Sequence, residues 1–124
     1  MDEIKRGDIY LADLGEGVGS EQRGIRPVLV VQNNVGNRFS PTTTVLPITT
    51  KIYKSRGLPT HVIIDHMGGL DEKSSIMAEQ ISTIDKTKLF TYLGTVSEET
   101  MKKDINKAIQ IQLGLPRRRQ YGRK

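Results

Sequence analysis

One stretch decides the fold, Gly19-Ser-Glu-Gln-Arg-Gly-Ile-Arg-Pro-Val-Leu-Val-Val-Gln-Asn33. Its apolar run, 28–31, is too short for a helix and rich in β-branched residues, so it predicts a buried strand. Pro27 fixes its own φ and favours an extended Arg26, which we therefore expect at the mouth of this strand. A guanidinium held there by a polar loop suits anion chemistry. An ordinary surface arginine beside a core strand is the alternative.

The chain has 124 residues, enough for one domain with a single hydrophobic core. It contains no cysteine, which excludes disulfides, thiolate metal ligands and a cysteine nucleophile. No apolar run approaches the length of a membrane span, and the charged start Met1-Asp-Glu-Ile-Lys-Arg6 is unlike a signal peptide. We therefore expect a soluble, cytoplasmic protein.

The net charge of +5 is unevenly distributed along the chain. Residues 117–124 hold five of the 19 basic residues and no acidic one, so the rest of the chain has 14 of each sign. Within that neutral body, residues 15–60 carry six basic and two acidic residues. A basic half on a neutral domain indicates a local surface for a polyanion, with a merely solvated face as the alternative.

Alternating and β-branched segments predict a series of short strands joined by polar connections. The expected strands are 6–14, 27–32, 42–50, 60–65, 75–84 and 89–96. Pro47 cannot donate to a ladder, so the third strand is expected at a sheet edge or bent at that residue. Residues 33–41 are expected to form a turn-rich connection. Two faces are expected on the long fifth strand, one with Ile76, Ala78 and Gln80 and the other with Met77, Glu79 and Ile81.

The apolar period becomes helical after Ser97, which is expected to be the N-cap. The apolar residues at helical spacing are Met101, Ile105, Ile109 and Leu113. Gly114 and Pro116 then end the helix. About six short strands and one helix favour a mainly β fold, a strongly curved antiparallel sheet or small open barrel with a C-terminal α-helix.

Most kinds of catalytic site have no matching pattern. His61 and His66 fit no metal-ligand spacing without cysteine, so we expect no metal. Neither a phosphate-binding glycine loop nor a nucleophile elbow is present. The remaining Arg, Thr, Ser, Gln and Asn residues in loops of the basic half suit phosphate binding and stabilisation of a developing phosphorane without metal.

Several motifs in order resemble the MazF/PemK family of toxin endoribonucleases. They are Lys5-Arg-Gly-Asp-Ile-Tyr-Leu-Ala-Asp-Leu14, Gly19-Ser-Glu-Gln22, Arg26-Pro-Val-Leu-Val-Val-Gln-Asn33, Asn37-Arg-Phe-Ser-Pro-Thr42, Ile48-Thr49, Leu58-Pro-Thr-His-Val62 and Glu79-Gln-Ile-Ser-Thr-Ile-Asp85. The resemblance covers about residues 4–115. It predicts a toxin domain at 1–115 and leaves 116–124 as a basic tail, which is either an RNA-attracting extension or of no consequence.

This resemblance implies an SH3-like open barrel of the PemK/CcdB type and a homodimer. It also implies a type II toxin–antitoxin system in which the toxin cleaves single-stranded RNA, such as mRNA, at specific sequences without metal or cofactor. A cognate antitoxin would occupy the RNA site. The catalytic residues implied are Arg26 and Thr49, the arginine of the Arg-Pro-Val motif and the threonine of the Ile-Thr motif.

Roles for these two residues follow from RNA chemistry, because the 2′-hydroxyl can attack its own phosphate. Arg26 would neutralise the pentacoordinate phosphate and protonate the leaving 5′-oxygen, but a guanidinium is a poor general base. Thr49 would hold a phosphate oxygen; alternatively it is a threonine chosen only for strand propensity.

Further candidate RNA contacts come from the polar loop and the fifth strand. The expected base and backbone contacts are Ser20, Glu21, Gln22 and Gln80. The expected electrostatic guides are Arg23, Lys54 and Arg56. Glu21 could instead orient Arg26 or be a simple loop charge, and His61 is assigned no catalytic duty.

Two other functions are compatible with such a fold. One is a toxin that grips a protein target such as DNA gyrase without catalysis; Arg26 and Thr49 together favour cleavage over this reading. The other is a plain nucleic-acid-binding barrel, which is expected to present stacked aromatic residues that this chain scarcely has. The sequence does not indicate which RNA sequence is cut or which antitoxin pairs with the chain.

Overall fold

The computed structural model describes residues 3–116, except for the side chain of Lys54. These residues form seven strands: β1 (Asp8–Asp13), β2 (Ile25–Val30), β3 (Thr42–Thr49), β4 (His61–Ile64), β5 (Ser74–Met77), β6 (Ser82–Asp85) and β7 (Leu89–Thr95). Adjacent strands in the order β4-β5-β3-β2-β1-β7 pair antiparallel, and β6 pairs with β3. The predicted basic tail lies outside the described residues, apart from Pro116.

Helical segments connect and cover these strands. α1 spans Asn34–Phe39, and short 3-10 turns span Ile52–Ser55, Ala78–Gln80 and Lys86–Lys88. The C-terminal helix consists of α2 (Glu98–Thr100), a π-helical turn (Met101–Ile105) and α3 (Asn106–Leu113). The predicted cap is confirmed, because the Ser97 side chain accepts a hydrogen bond from the Thr100 N–H. Gly114 ends the helix, as predicted, and the structure shows it in the left-handed conformation.

The sheet buries side chains on both of its faces. On β2, Leu29 points to the face covered by the C-terminal helix, where it clusters with Met101 and Ile105. Its neighbours Val28 and Val30 point to the opposite face and belong to a second cluster around Tyr10 and Leu89. Successive residues of a strand point to opposite faces, and both faces are buried here. Residues 28–31 are therefore apolar without interruption. The predicted buried strand is confirmed.

β3 is a central strand, so the first of the two predicted alternatives, an edge position, was wrong; the second, a bend at Pro47, stays a prediction. β3 pairs with β2 on one side, while its other side pairs first with β6 and then with β5. Pro47 lies between the residues that pair with β6, ending at Val45, and those that pair with β5, starting at Ile48. The proline therefore occupies the position where this side of the ladder changes partner, and its missing N–H costs no ladder bond.

Two other predictions need correction. Residues 33–41 contain α1 in place of a plain turn, because the Asn33 side chain caps the helix by accepting from the Gly36 N–H at 2.8 Å. The single strand predicted at 75–84 is divided into β5 and β6 by the 3-10 turn Ala78–Gln80. Because of this division, β5 and β6 pair with two different stretches of β3. The two faces predicted for that strand do not continue through the turn.

The overall class agrees with the prediction: a mainly antiparallel, open β-sheet with a C-terminal helix. Within residues 3–116, no helix is both long enough and apolar enough to cross a membrane.

We predict that Gly69→Ala destabilises the fold much more than Gly15→Ala. Both glycines have positive φ, +82° and +74°, so each alanine pays about 1–2 kcal/mol for the left-handed conformation. Only at Gly69 would the added Cβ meet another atom, the Leu93 carbonyl oxygen at 1.9 Å. Urea unfolding of the two variants measures the difference. Equal losses of unfolding free energy would show that Gly69 does not pack tightly against β7.

Candidate active site

The register of β2 and β3 brings Arg26 and Thr49 together. Val28 lies opposite Pro47, and Val30 lies opposite Val45. Continuing this antiparallel register by two residues puts Arg26 opposite Thr49, on the same face of the sheet. Both residues line one cleft of about 260 Å³. Arg26 lies within extended β2, as Pro27 predicts.

The register continues across the neighbouring strands on this face. Thr49 pairs with Ser75 of β5, and Met77, two residues further along β5, pairs with His61 of β4. Because side chains two residues apart share a face, Thr49, Ser75, Met77 and His61 are all directed to the side of the cleft. Ile48 and Ile76 alternate to the helix-covered core.

Ten residues line the cleft: Ser20, Gln22, Arg26, Thr49, Lys51, Leu58, His61, Met77, Glu79 and Gln80. Five of them are site residues predicted from the sequence, namely Ser20, Gln22, Arg26, Thr49 and Gln80. The structure therefore brings both predicted catalytic residues and three predicted RNA contacts into one cleft.

Arg26 is half-buried and keeps its charge available to the cleft. Its Nε donates to the Arg23 carbonyl at 3.0 Å, which fixes the plane of the guanidinium. Among residues 3–116 this guanidinium forms no ion pair with a carboxylate. The outer nitrogens can therefore donate to an anion in the fork geometry that suits phosphate.

Thr49 is buried at the end of β3 and is held by the following turn. The residue is only 7% exposed, and its Oγ1 accepts a hydrogen bond from the Lys51 N–H at 3.1 Å. A hydroxyl that accepts in this way keeps its own proton to donate.

Gln80 ties the polar loop 15–24 to the sheet. Its Oε1 accepts from the Gln22 N–H at 3.3 Å, and its Nε2 donates to the Ser20 carbonyl at 3.0 Å. Part of the amide that we expected to contact RNA is thus used to hold the loop. Gln22 Oε1, in contrast, is buried and has no hydrogen-bond partner among residues 3–116, so a ligand donor in the cleft would satisfy this acceptor.

The other predicted residues lie around the cleft. Glu21 accepts from the Val18 N–H at 2.5 Å and lines an adjoining cleft of about 520 Å³; it does not pair with Arg26. Arg23 and Arg56 are exposed and do not line the Arg26 cleft. The side chain of Lys54 lies outside the described part of the chain.

Sequence reasoning missed five lining residues: Lys51, Leu58, His61, Met77 and Glu79. A single strand over 75–84 puts Glu79 on the opposite face from Gln80. The 3-10 turn rotates both side chains into the same cleft. Family motifs quoted above already contained Leu58, His61 and Glu79, so the resemblance was the available signal.

His61 belongs to a polar network behind the cleft. Its side chain is 4% exposed, and its Nδ1 lies 2.6 Å from Ser55 Oγ, which donates to Ser75 Oγ at 2.6 Å. On the other side of the ring, Nε2 lies 2.9 Å from Glu79 Oε1. The oxygen lies off the direction of the ring N–H, so this contact is electrostatic and no aligned hydrogen bond forms. Within residues 3–116, no three His, Asp or Glu side chains cluster in a way that could hold a metal ion.

A known protein family matches nearly the whole of this fold. The family is described as PemK-like, MazF-like toxin of type II toxin–antitoxin system, and the match covers residues 5–113. The chain belongs to this family.

Individual relatives agree with the family match. Endoribonuclease EndoA of Bacillus subtilis (strain 168) is 52% identical over 113 residues, which are 90% of this chain and 96% of that protein. Endoribonuclease MazF of Staphylococcus saprophyticus subsp. saprophyticus is 50% identical over 113 residues, 90% of this chain and 92% of the relative. A solved endoribonuclease in complex with its cognate antitoxin, from Mycobacterial species, has a TM-score of 0.74 at 33% identity and covers 95% of this chain and 100% of its own.

We predict that Gln80→Ala loosens the polar loop of this MazF-like toxin. The Gln22 N–H and the Ser20 carbonyl each lose their side-chain partner, at about 1 kcal/mol per bond. Hydrogen exchange of the Gln22 amide is then faster in Gln80→Ala than in the parent. Gln80→Glu keeps the acceptor for that amide and serves as the control, with protection close to the parent's. Unchanged exchange in Gln80→Ala would mean that other contacts hold the loop.

Proposed function

We propose that this toxin cleaves single-stranded RNA at specific sequences, without a metal ion, by attack of an RNA 2′-hydroxyl on the adjacent phosphodiester. The chain is a MazF-type toxin endoribonuclease by family and by its relatives. The observation that supports this mechanism is the presence of Arg26 and Thr49 in one cleft, opposite each other in the β2–β3 register.

The chemistry needs no protein nucleophile, because the substrate supplies the 2′-oxygen. As the 2′-oxygen bonds to phosphorus, negative charge grows on the nonbridging oxygens. The guanidinium of Arg26 neutralises this charge and gives a proton to the leaving 5′-oxygen. Thr49 donates its hydroxyl proton to a nonbridging oxygen and keeps the phosphate in line. The first products are a 2′,3′-cyclic phosphate and a 5′-hydroxyl.

Base recognition is proposed for the loop side of the cleft. Gln22 offers a buried acceptor, and Ser20 and Gln80 retain polar groups at the same wall. Glu21 contributes from the adjoining cleft. Arg23, Lys54 and Arg56 are proposed to guide the RNA backbone by charge. Unpaired bases suit such contacts because their hydrogen-bonding edges are open.

The proposed partners are a cognate antitoxin and a second copy of the chain. The Mycobacterial relative was solved with its antitoxin, and an antitoxin segment over the Arg26 cleft would block RNA entry. We further propose a cytoplasmic location, where mRNA is accessible. The alternative of a gyrase-gripping toxin is not favoured, since both curated relatives named above are endoribonucleases.

We predict that Arg26→Ala abolishes discrete cleavage of a long mixed-sequence RNA in EDTA. Loss of the main electrostatic donor should lower the rate by about 10²-fold or more. Arg38→Ala removes the same charge from an arginine stacked on Phe39 outside the cleft and is expected to cut normally. Mapping the cut ends by primer extension reports activity and sequence preference together. Intact RNA with the parent protein, or equal cutting by Arg26→Ala, would overturn the proposal.

A further inference from the structure

The proposed mechanism lacks a group that removes the proton from the 2′-hydroxyl. The guanidinium of Arg26 is already protonated and has no lone pair to accept another proton, and Thr49 is a hydroxyl. Of the ten residues that line the cleft, only Glu79 carries a carboxylate. Its side chain is 38% exposed, so part of it is open to the cleft although the rest is packed.

Glu79 is held from behind by two neighbours. Its Oε1 accepts a hydrogen bond from Thr60 Oγ1 at 2.9 Å and lies 2.9 Å from His61 Nε2. Both contacts engage the same oxygen and leave Oε2 without a contact of this kind among residues 3–116. A carboxylate fixed through one oxygen presents the other in a defined position.

His61 is held in this network through its other ring nitrogen. Ser55 Oγ lies 2.6 Å from His61 Nδ1 and donates to Ser75 Oγ at 2.6 Å, and the His61 side chain is almost completely buried. The edge of the ring that carries Nε2 therefore has a fixed position 2.9 Å from Glu79 Oε1, and it limits where that carboxylate can lie.

We propose that Glu79 is the general base of the cleavage and that His61 is its positioning residue; the inference rests on the proposed function. Glu79 takes the proton of the 2′-hydroxyl while the O2′–P bond forms. The P–O5′ bond breaks, and the leaving oxygen takes a proton from Arg26. Solvent then removes the proton from Glu79 and returns one to Arg26, so the enzyme is restored.

Other charged groups surround this pair and belong to any account of its pH dependence. Arg26 and Lys51 line the same cleft as Glu79, and Glu21 and Lys88 line the adjoining cleft that Glu79 also borders. Asp104 and Lys107 line another cleft together with His61.

The first test compares Glu79→Gln with Glu72→Gln, an exposed glutamate outside the cleft, in RNA cleavage with EDTA. Glu79→Gln is expected to lower kcat by about 10²-fold or more, the usual contribution of a general base. It is also expected to lose the acid limb of the pH–rate profile, while Glu72→Gln keeps both the rate and the limb. Binding of an uncleavable RNA with one 2′-deoxy residue at the cut site should be unchanged.

A substrate with sulfur in place of the bridging 5′-oxygen separates a base from an acid. The sulfur leaves easily without a proton, so a variant that lacks the acid recovers activity and a variant that lacks the base does not. Glu79→Gln is expected to stay slow on this substrate. Recovery by Glu79→Gln would identify the residue as an acid and overturn the proposal.

The role of His61 is tested with two amides. Gln can place an N–H near the position of Nε2, facing Glu79, whereas Asn can place one only near Nδ1, facing Ser55. His61→Asn is expected to lose about tenfold or more in kcat through misplacement of Glu79, and His61→Gln clearly less. His66→Gln, which alters an exposed histidine, should keep the parent rate. Equal losses in both His61 variants, parallel to their melting temperatures, would reduce His61 to a structural residue.

These experiments distinguish failure of the proposed function from failure of the assignment of Glu79 as the base. If the parent protein leaves RNA intact, the proposed function fails. If the parent and Glu79→Gln cut at the same rate with the same pH profile, only the assignment of the base fails.

Discussion

The antiparallel pairing of β2 with β3 is the constraint on which the rest of the site depends. The paired residues Leu29 and Leu46, like Val30 and Val45, are fully buried, each pair on a different face of the sheet. A slip of one residue would turn each core side chain to the wrong face, so hydrophobic burial fixes the register. Arg26 and Thr49 lie at the ends of these strands and receive their alignment from the core. The geometry of a polar site is thus set by apolar residues that do not line it.

The remainder of the cleft is attached to this pair in two ways. The ladder from β3 through β5 to β4 carries the register outward to His61. The loop from β1 to β2 is held by the Gln80 amide, which bonds the backbone of Ser20 and Gln22. Sheet positions therefore supply the residues that need accurate placement, and the loop supplies the adaptable polar groups that suit base recognition. An arginine without an ion-pair partner in residues 3–116 leaves the cleft ready for an anion.

Much of the fold follows from local patterns, and the errors have a common physical origin. The strand at 28–31, the helix after Ser97 and its end at Gly114 are set by residues close in sequence, and these predictions are confirmed. The position of β3 and the division of 75–84 depend on which strands pair across the sheet, which local periodicity does not encode. Glu79 was missed for that reason. The polar loop and Pro27 already point to Arg26, whereas its catalytic role and the choice of Thr49 come from the family resemblance. Residue type alone would leave Thr49 as an ordinary strand residue.

A double-mutant cycle in RNA cleavage tests the central claim most directly, namely that Arg26 and Thr49 act on one phosphate across the β2–β3 register. Cleavage rates would be measured in EDTA for the parent, Thr49→Val, Arg26→Ala and the double variant. Residues that share one reacting group are coupled, so the double variant is expected to lose far less than the product of the single losses. A loss in the double variant equal to the product of the single losses would mean that the two side chains act independently. The claim that they act on one phosphate would then be wrong.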